Sequence, residues 1–299
     1  MAKSIWVELL GAEVRLIQGP RFRSRILEAG REHPETLILT HPGGGHVESF
    51  ARNIVPLGQH IHTVAMEMLW HGFSDTPPIG EDRVAREAEQ VVDLLDALGV
   101  ERAWVHGNAS GGVVPTWLAL NRPDRLKGII YEATTGNVQV QTGAPPPPPP
   151  TSAGGLTIAE QTLQLLQNPT REGVRERLLH AFHPRHPERI PDELVDVRLA
   201  LYSRPATNEA MTRYYSHRIR YAVSEEEIAR IDLPVLVLGS DARGEQSFAG
   251  QRRLAAIIPG AQFKLLENTG LWGHWEAAAE FNEAVRQFIL GAGEGEHGA

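Results

Sequence analysis

Residues 104–114, WVHGNASGGVV, have the types and spacing of a turn that carries a nucleophile. A β-branched strand runs into Gly107, and a helix-compatible segment leaves from Gly111. Glycines two positions before and after one residue let the backbones crowd while that residue stands on a sharp turn. The N–H of the next residue, Ser110, would face a developing oxyanion, helped by the positive end of the following helix. The central residue is Ala109, which has no atom to attack with. A second segment, HPGGGH (residues 41–46), follows the apolar run LILT and stands before this turn. An N–H from Gly43 or Gly44 could serve the same oxyanion. The plainer reading of HPGGGH is an ordinary strand-to-helix turn.

Such groups need a scaffold, and the chain supplies alternating elements. Residues 35–40, 60–67, 102–107, 127–133, 232–240 and 262–268 read as strands. Residues 82–99 read as a helix, with Val84, Ala88, Val91, Leu95 and Leu98 on one face and Gly99 as a left-handed stop. Residues 111–121 fit a buried helix, and a last helix starts at Trp275 or Glu276 and runs to about Leu290, leaving a frayed tail. Residues 143–155 contain six consecutive prolines, which suit a stiff polyproline II connector. Residues 156–227 read as amphipathic helices, with starts near Thr170 and Pro191. This order implies an α/β fold, a mostly parallel central sheet with helices on both faces and a helical lid insertion. The expected division is a first core part at 1–134, a helical lid with a proline-rich entry at 135–227, and a second core part at 228–299. Ligands of such sheets bind beyond the C-terminal strand ends, beneath a lid of this kind.

Composition narrows the class of partner. The 299 residues carry a net charge of -8, 41% hydrophobic and 22% charged residues, and no cysteine. A Cys nucleophile, a disulfide and a thiolate zinc site are therefore excluded. Nucleic acid and anionic membranes require clustered Lys and Arg, which this balance does not suggest. Neither a signal segment nor a run of about 18 apolar residues appears, so a cytoplasmic location is expected. The expected partner is a small-molecule substrate, with a homodimer possible on general grounds.

The motifs together resemble the α/β-hydrolase superfamily. The resemblance is closest to the meta-cleavage-product hydrolases, which split carbon–carbon bonds in ring-opened aromatic compounds. The segments that carry it are HPGGGH, EMLWHGFSD, GNASGG and GLWGHWEAAAEFN, with PTREGVRERLL and DELVDVRLALYSRP similar to that branch's lid. NRPDRLKGIIYEA also resembles the zearalenone-type lactonases. The resemblance implies the α/β-hydrolase fold, a Ser-His-acid mechanism and no cofactor. It puts Ala109 at the nucleophile position, where an experimenter's serine-to-alanine change or a natural alanine would both fit. Counting back five positions from Glu276 and ten from Phe281 puts Leu271 where the family's histidine stands, whereas His274 lies three residues later in GHW. Either His274 is the base of a rearranged loop, or the base is lost with the nucleophile, or His274 is a bystander. For the acid, the meta-cleavage branch points to Asp241 after LPVLVLGS, and the lactonases point to Glu132 at the end of IIYEA; Asp241 is preferred. Capping of nearby backbone is the plainer role for both carboxylates.

His41, His46, His71, His106 and His274 crowd the expected site. Imidazoles suit zinc or iron, but no tight H-x-x-x-H or H-x-D pattern is present, so no metal is expected. His41 and His46 could orient a polar substrate, and His106 packs within its strand. Trp70 and His71 replace the family's small loop residues and are expected to line the pocket, with Leu271 and Trp272 as further candidates. Three functions follow. One is a hydrolase of a small to medium, largely apolar ketone, ester or lactone, in a form inactive at position 109. Another is a naturally triad-less enzyme of cyclisation, elimination or decarboxylation. The third is a non-catalytic ligand receptor.

Overall fold

The structure is a computed structural model that describes residues 4–136, 138–139, 155–217, 221–242 and 244–296. The proline run at 145–150, expected as a connector, lies outside the described residues. Eight strands form the main sheet: β1 (Glu13–Gln18), β2 (Arg23–Ala29), β3 (Thr36–Thr40), β4 (His62–Met66), β5 (Ala103–Asn108), β6 (Leu126–Glu132), β9 (Val235–Ser240) and β10 (Gln262–Leu266). A short parallel pair, β7 (Val138–Gln139) and β8 (Val223–Ser224), stands apart. The main order is β1-β2-β4-β3-β5-β6-β9-β10. β2 runs antiparallel to both neighbours, and the others are parallel. β3, β4, β5 and β9 are buried along their whole length, as strands covered on both faces must be.

The helices are α1 (Ile5–Glu8), α2 (Ala51–Gly58), α3 (Arg83–Leu98), α4 (Val113–Asn121), α5 (Ile158–Gln167), α6 (Arg171–Leu179), α7 (Asp192–Ser203), α8 (Pro205–Ser216), α9 (Glu225–Ile228), α10 (Glu245–Ile257), α11 (Gly273–Glu276) and α12 (Ala278–Glu296). Two apolar layers sandwich the sheet. One joins α3 and α4 to Ile38, Val64 and Val105, and the other joins α2 and α12 to Leu37, Leu39, Ile130 and Leu238. α3 buries Val84, Ala88, Val91 and Leu95, and Gly99 ends it with a φ of 70°. α5 through α8 bury Val174, Leu178, Phe182, Leu194 and Met211 together with Trp272 and Trp275, so this helical segment shares a core with the chain after β10. Thr170 caps α6 through Gly173 N–H, and α7 begins directly after Pro191. Among the described residues no helix is long and apolar enough to cross a membrane.

The sheet gains two strands that periodicity had not revealed. β1 is mostly exposed and β2 mostly buried, so neither presents the alternation of a half-buried strand. The C-terminal helix also continues to Glu296 instead of fraying after Leu290. Phe288 and Ile289 anchor it in the core, and extending a formed helix adds one hydrogen bond per residue fixed.

Chain order places the crevice. From β3 the chain crosses to β4 on one side and returns to β5 on the other, so the loops after β3 and β5 diverge at a topological switch point. Those loops are HPGGGH and the turn centred on Ala109.

Candidate active site

The turn at Ala109 is strained. β5 ends at Asn108, Ala109 takes a φ of 47°, and a 3-10 turn over Ala109–Gly112 leads into α4. A side chain with a Cβ rarely adopts that region, and holding it there costs about 1–3 kcal/mol. The two glycines are required by close approach. A Cβ on Gly107 would lie 2.8 Å from Gly112 Cα, and one on Gly111 would lie 2.9 Å from His41 O. The backbone of an exposed nucleophile is thus intact around a methyl group.

The acid and base candidates converge one strand away. Glu132 closes β6 and pairs in register with Asn108, the residue before the turn. It is buried, as is His274 at the start of α11. His274 Nδ1–H donates to Glu132 Oε2 at 2.8 Å and Oε1 at 3.0 Å, and His274 N–H donates to Oε1 at 2.7 Å. His106 Nε2–H and Asn108 Nδ2–H each donate to Oε2 at 2.9 Å. Burial alone would push this carboxyl up. The electrostatic interaction with His274 and the hydrogen bonds from His106 and His274 outweigh it and bring the carboxyl down to about 2. Glu132 is therefore an anion, and it fixes the proton of His274 on Nδ1. The opposite nitrogen, His274 Nε2, is buried and has no partner. Asn108 Nδ2 also donates to Leu271 O at 2.5 Å, tying the turn to the loop that carries His274.

Asp241 lies elsewhere. It is exposed, and its oxygens accept from Asn268 N–H at 3.1 Å and Thr269 N–H at 3.3 Å. It organises the turn before the histidine loop and makes no contact with His274, so the preferred acid position and the observed partner differ. The physical reason is register: β6 ends level with the turn, so its terminal carboxylate reaches the imidazole directly. Leu271 offers the site its carbonyl, while its side chain packs with the apolar cluster under α5 through α8.

The glycine loop and its histidines divide by whether their nitrogens are engaged. Gly43 N–H donates to Ser110 Oγ at 3.2 Å. Gly44, with a φ of 78°, donates its N–H to His71 Nε2 at 2.9 Å, so that amide is occupied instead of free for an oxyanion. His71 Nδ1–H donates to Leu69 O, and burial takes its imidazole down to about 4. His41 Nδ1–H donates to Pro42 O and its Nε2 accepts Met68 N–H. With both nitrogens engaged, His41 and His71 are not free to orient a substrate; they brace the loop. Trp70 is buried with its Nε1–H on Pro77 O and packs beside Tyr214. His46 is different. Its Nδ1–H donates to Glu48 Oε2 at 3.1 Å and its Nε2 is buried without a partner. Among the described residues no group of three or more His, Cys, Asp or Glu could hold a metal.

Sequence reasoning missed the groups above this floor. Arg198 of α7 is buried, and no carboxylate or hydrogen-bond acceptor pairs with it among the described residues. Its guanidinium lies 5.1 Å from the centroid of Trp272, whose indole also lies 5.6 Å from His274 and 6.4 Å from His46. Burial lowers the guanidinium from its ordinary value, yet Arg stays protonated in proteins. Tyr202 of α7 donates its OH to Gly44 O at 3.2 Å, and the buried Tyr215 OH of α8 has no partner. A basic residue inside an otherwise helical, lid-like stretch was the signal available, but its burial was not readable there.

With this geometry in view, the comparisons with known proteins are consistent. A family model described as the alpha/beta hydrolase family matches residues 37–284. The 2-hydroxymuconate semialdehyde hydrolase of Pseudomonas putida is 27% identical over 289 residues, covering 93% of this chain and 94% of that protein. The 2-hydroxy-6-oxononadienedioate/2-hydroxy-6-oxononatrienedioate hydrolase of Paraburkholderia phymatum is 26% identical over 262 residues, covering 85% and 87%. Among solved structures, the meta-cleavage product hydrolase of Pseudomonas fluorescens IP01, in a serine-to-alanine mutant complexed with acetates, superposes with a TM-score of 0.75 at 20% identity over 95% of this chain and 99% of that one. The enol-lactonase of Burkholderia xenovorans LB400 gives 0.70 at 18% identity over 92% and 100%. These two likenesses concern the fold.

Proposed function

The chain belongs to the alpha/beta hydrolase family, and on that premise we propose that its site takes a small carboxylate-bearing ketone, ester or lactone for hydrolysis, with Ala109 at the nucleophile position. The observation that carries the reading is the Glu132–His274 pair, complete and buried, with His274 Nε2 open. In a hydrolase of this design Nε2 takes the proton of a serine Oγ at position 109 as Oγ adds to the substrate carbonyl. The anion of Glu132 stabilises the imidazolium that forms. Ser110 N–H and Gly43 N–H are the oxyanion donors, Gly43 exchanging its contact with Ser110 Oγ for the substrate oxygen. Collapse breaks the C–O or C–C bond, His274 returns its proton to the leaving group, and water releases the acyl group.

The substrate class follows from Arg198. A buried, unpaired guanidinium is unfavourable unless an anion joins it, and a carboxylate suits its planar donors. The relatives named above act on acids of this kind by their names, which supports a ring-opened 2-hydroxydienoic acid as the first substrate to try. With a methyl at position 109, the chain as it stands binds such a compound without forming an acyl-enzyme. A second reading is acid–base chemistry without a nucleophile, favoured by the intact Glu132–His274 pair beside a missing Oγ.

Ala109→Ser separates these readings. Restored hydrolysis of model esters, lactones or 2-hydroxydienoic acids, at least about a hundredfold above the unaltered chain, is expected. Turnover no higher than that of the unaltered chain would refute the hydrolase reading. Turnover by the unaltered chain, retained in the serine form, would favour the second.

A further inference from the structure

Glu276 is a carboxylate that the hydrolytic scheme leaves unused. It closes α11, the single turn that carries His274, and its side chain is fully buried. Its hydrogen bonds come from two places. From its own loop, Gly270 N–H donates to Oε2 at 2.6 Å. From the helical segment, His183 N–H lies 3.0 Å from Oε1 and 3.2 Å from Oε2, and Arg189 Nη1–H reaches Oε1 at 3.3 Å. The two backbones meet along the same seam. Trp272 N–H donates to Ala181 O at 3.1 Å, and Arg189 Nη1–H also donates to Asn268 O at 2.6 Å. A Cβ on Gly270 would lie 2.5 Å from Ala181 O and 2.8 Å from His183 N, so the turn after α6 leaves room for nothing larger than glycine there.

The loop that carries His274 is thus held from two sides. The sheet holds it through Asn108 on Leu271 O and through Glu132 on His274 itself. The helical segment holds it through Glu276, by hydrogen bonds to a charged acceptor, which are the stronger kind. α11 has only four residues, so a shift at Glu276 carries along its backbone to His274 two positions earlier. Resting on the reading that His274 is the base, we infer that Glu276 is a positioning residue for it, and that it makes the placement of His274 depend on the seating of residues 181–189. The base is in place for proton transfer only while that turn of the helical segment is docked.

Glu276→Gln tests this, because an amide accepts at one end only and turns an NH2 group toward Gly270 N–H, His183 N–H or Arg189. In the variant, the Gly270 and His183 amides should exchange their hydrogens at least about tenfold faster than in the unaltered chain. The deciding signal is the Nδ1–H proton resonance of His274, assigned as the one missing from His274→Gln. It should shift or broaden in folded Glu276→Gln, which a carboxylate that only adds stability would not cause. In an Ala109→Ser background, Glu276→Gln should lower kcat by about tenfold to a hundredfold and leave KM within about threefold. An unmoved His274 resonance in the folded variant overturns the inference, and so does a kcat within about threefold of the Ala109→Ser parent. If Ala109→Ser shows no turnover, the hydrolase reading fails, and the resonance in the Ala109 chain still decides whether Glu276 positions His274. Should Glu276→Gln not fold, Arg189→Leu removes one of the same bonds from a partly exposed side chain. The resonance should then move in the same way, and its constancy would again overturn the inference.

Discussion

Glu132→Gln is the substitution with the most to reveal. It keeps the shape of the side chain and removes its charge. A carboxyl held from an ordinary 4.5 to about 2 corresponds to about 3 kcal/mol of preference for the ionised form in the folded chain. Breaking a buried charge pair by removing one partner costs about 3–5 kcal/mol, so the two routes agree near 3 kcal/mol. The amide also turns a donor toward His274 N–H and Nδ1–H, or toward His106 and Asn108, all of which now donate to the carboxylate. Because the folded value is depressed, the stabilisation is present above the ordinary value of 4.5 and fades as pH falls toward 2. Urea unfolding followed by tryptophan fluorescence should give a cost of about 3 kcal/mol at pH 7, shrinking to about 2 kcal/mol at pH 3.5. Asp241→Asn, which alters an exposed cap on Asn268 and Thr269, should cost less than about 1 kcal/mol. In an Ala109→Ser background, Glu132→Gln should lower kcat by about a thousandfold or more, and Asp241→Asn by less than about tenfold. A Glu132→Gln cost under about 1 kcal/mol, or a larger loss of activity from Asp241→Asn, would refute the assignment of Glu132 as the carboxylate that serves His274.

Other consequences are simpler to state. Ala109→Gly relieves the left-handed φ of 47° and should stabilise the chain by roughly 0.5–1 kcal/mol in chemical denaturation, since the added chain entropy of glycine offsets part of the relief. Gly111→Ala drives a methyl against His41 O at 2.9 Å and should cost more than about 1 kcal/mol by the same measurement. Arg198→Met should raise the melting temperature of the unliganded chain, because an unpaired buried charge is replaced by apolar volume. The same variant should lose at least about tenfold in affinity for a carboxylate ligand by calorimetry.

Much of the scaffold was legible from residue order alone. The burial of β3 follows from the apolar run Leu37–Leu39, and the face and stop of α3 follow from Val84, Ala88, Val91, Leu95 and Gly99. The turn at Ala109 was legible because glycine spacing around a strand end has few other uses. β1 was not, because an edge strand with little burial leaves little hydrophobic period, and neither was β2, whose polar Ser24, Arg25 and Glu28 are buried among its apolar residues. The histidines were the least legible. His41, His46 and His71 look alike in sequence, and only their partners show that two of them brace the loop while His46 keeps a free nitrogen.

The sequence by itself determined a mostly parallel sheet with a tight, glycine-flanked turn at its switch point and a methyl at the centre of that turn. Those properties are local: they depend on residue type and short spacing. The pairing of His274 with Glu132 instead of Asp241 was decided by tertiary structure, because it spans 142 residues and depends on where β6 ends relative to β5. The isolation of Arg198 was decided in the same way. Whether a charge is paired or alone depends on every element that folds over it, and no stretch of sequence contains them all.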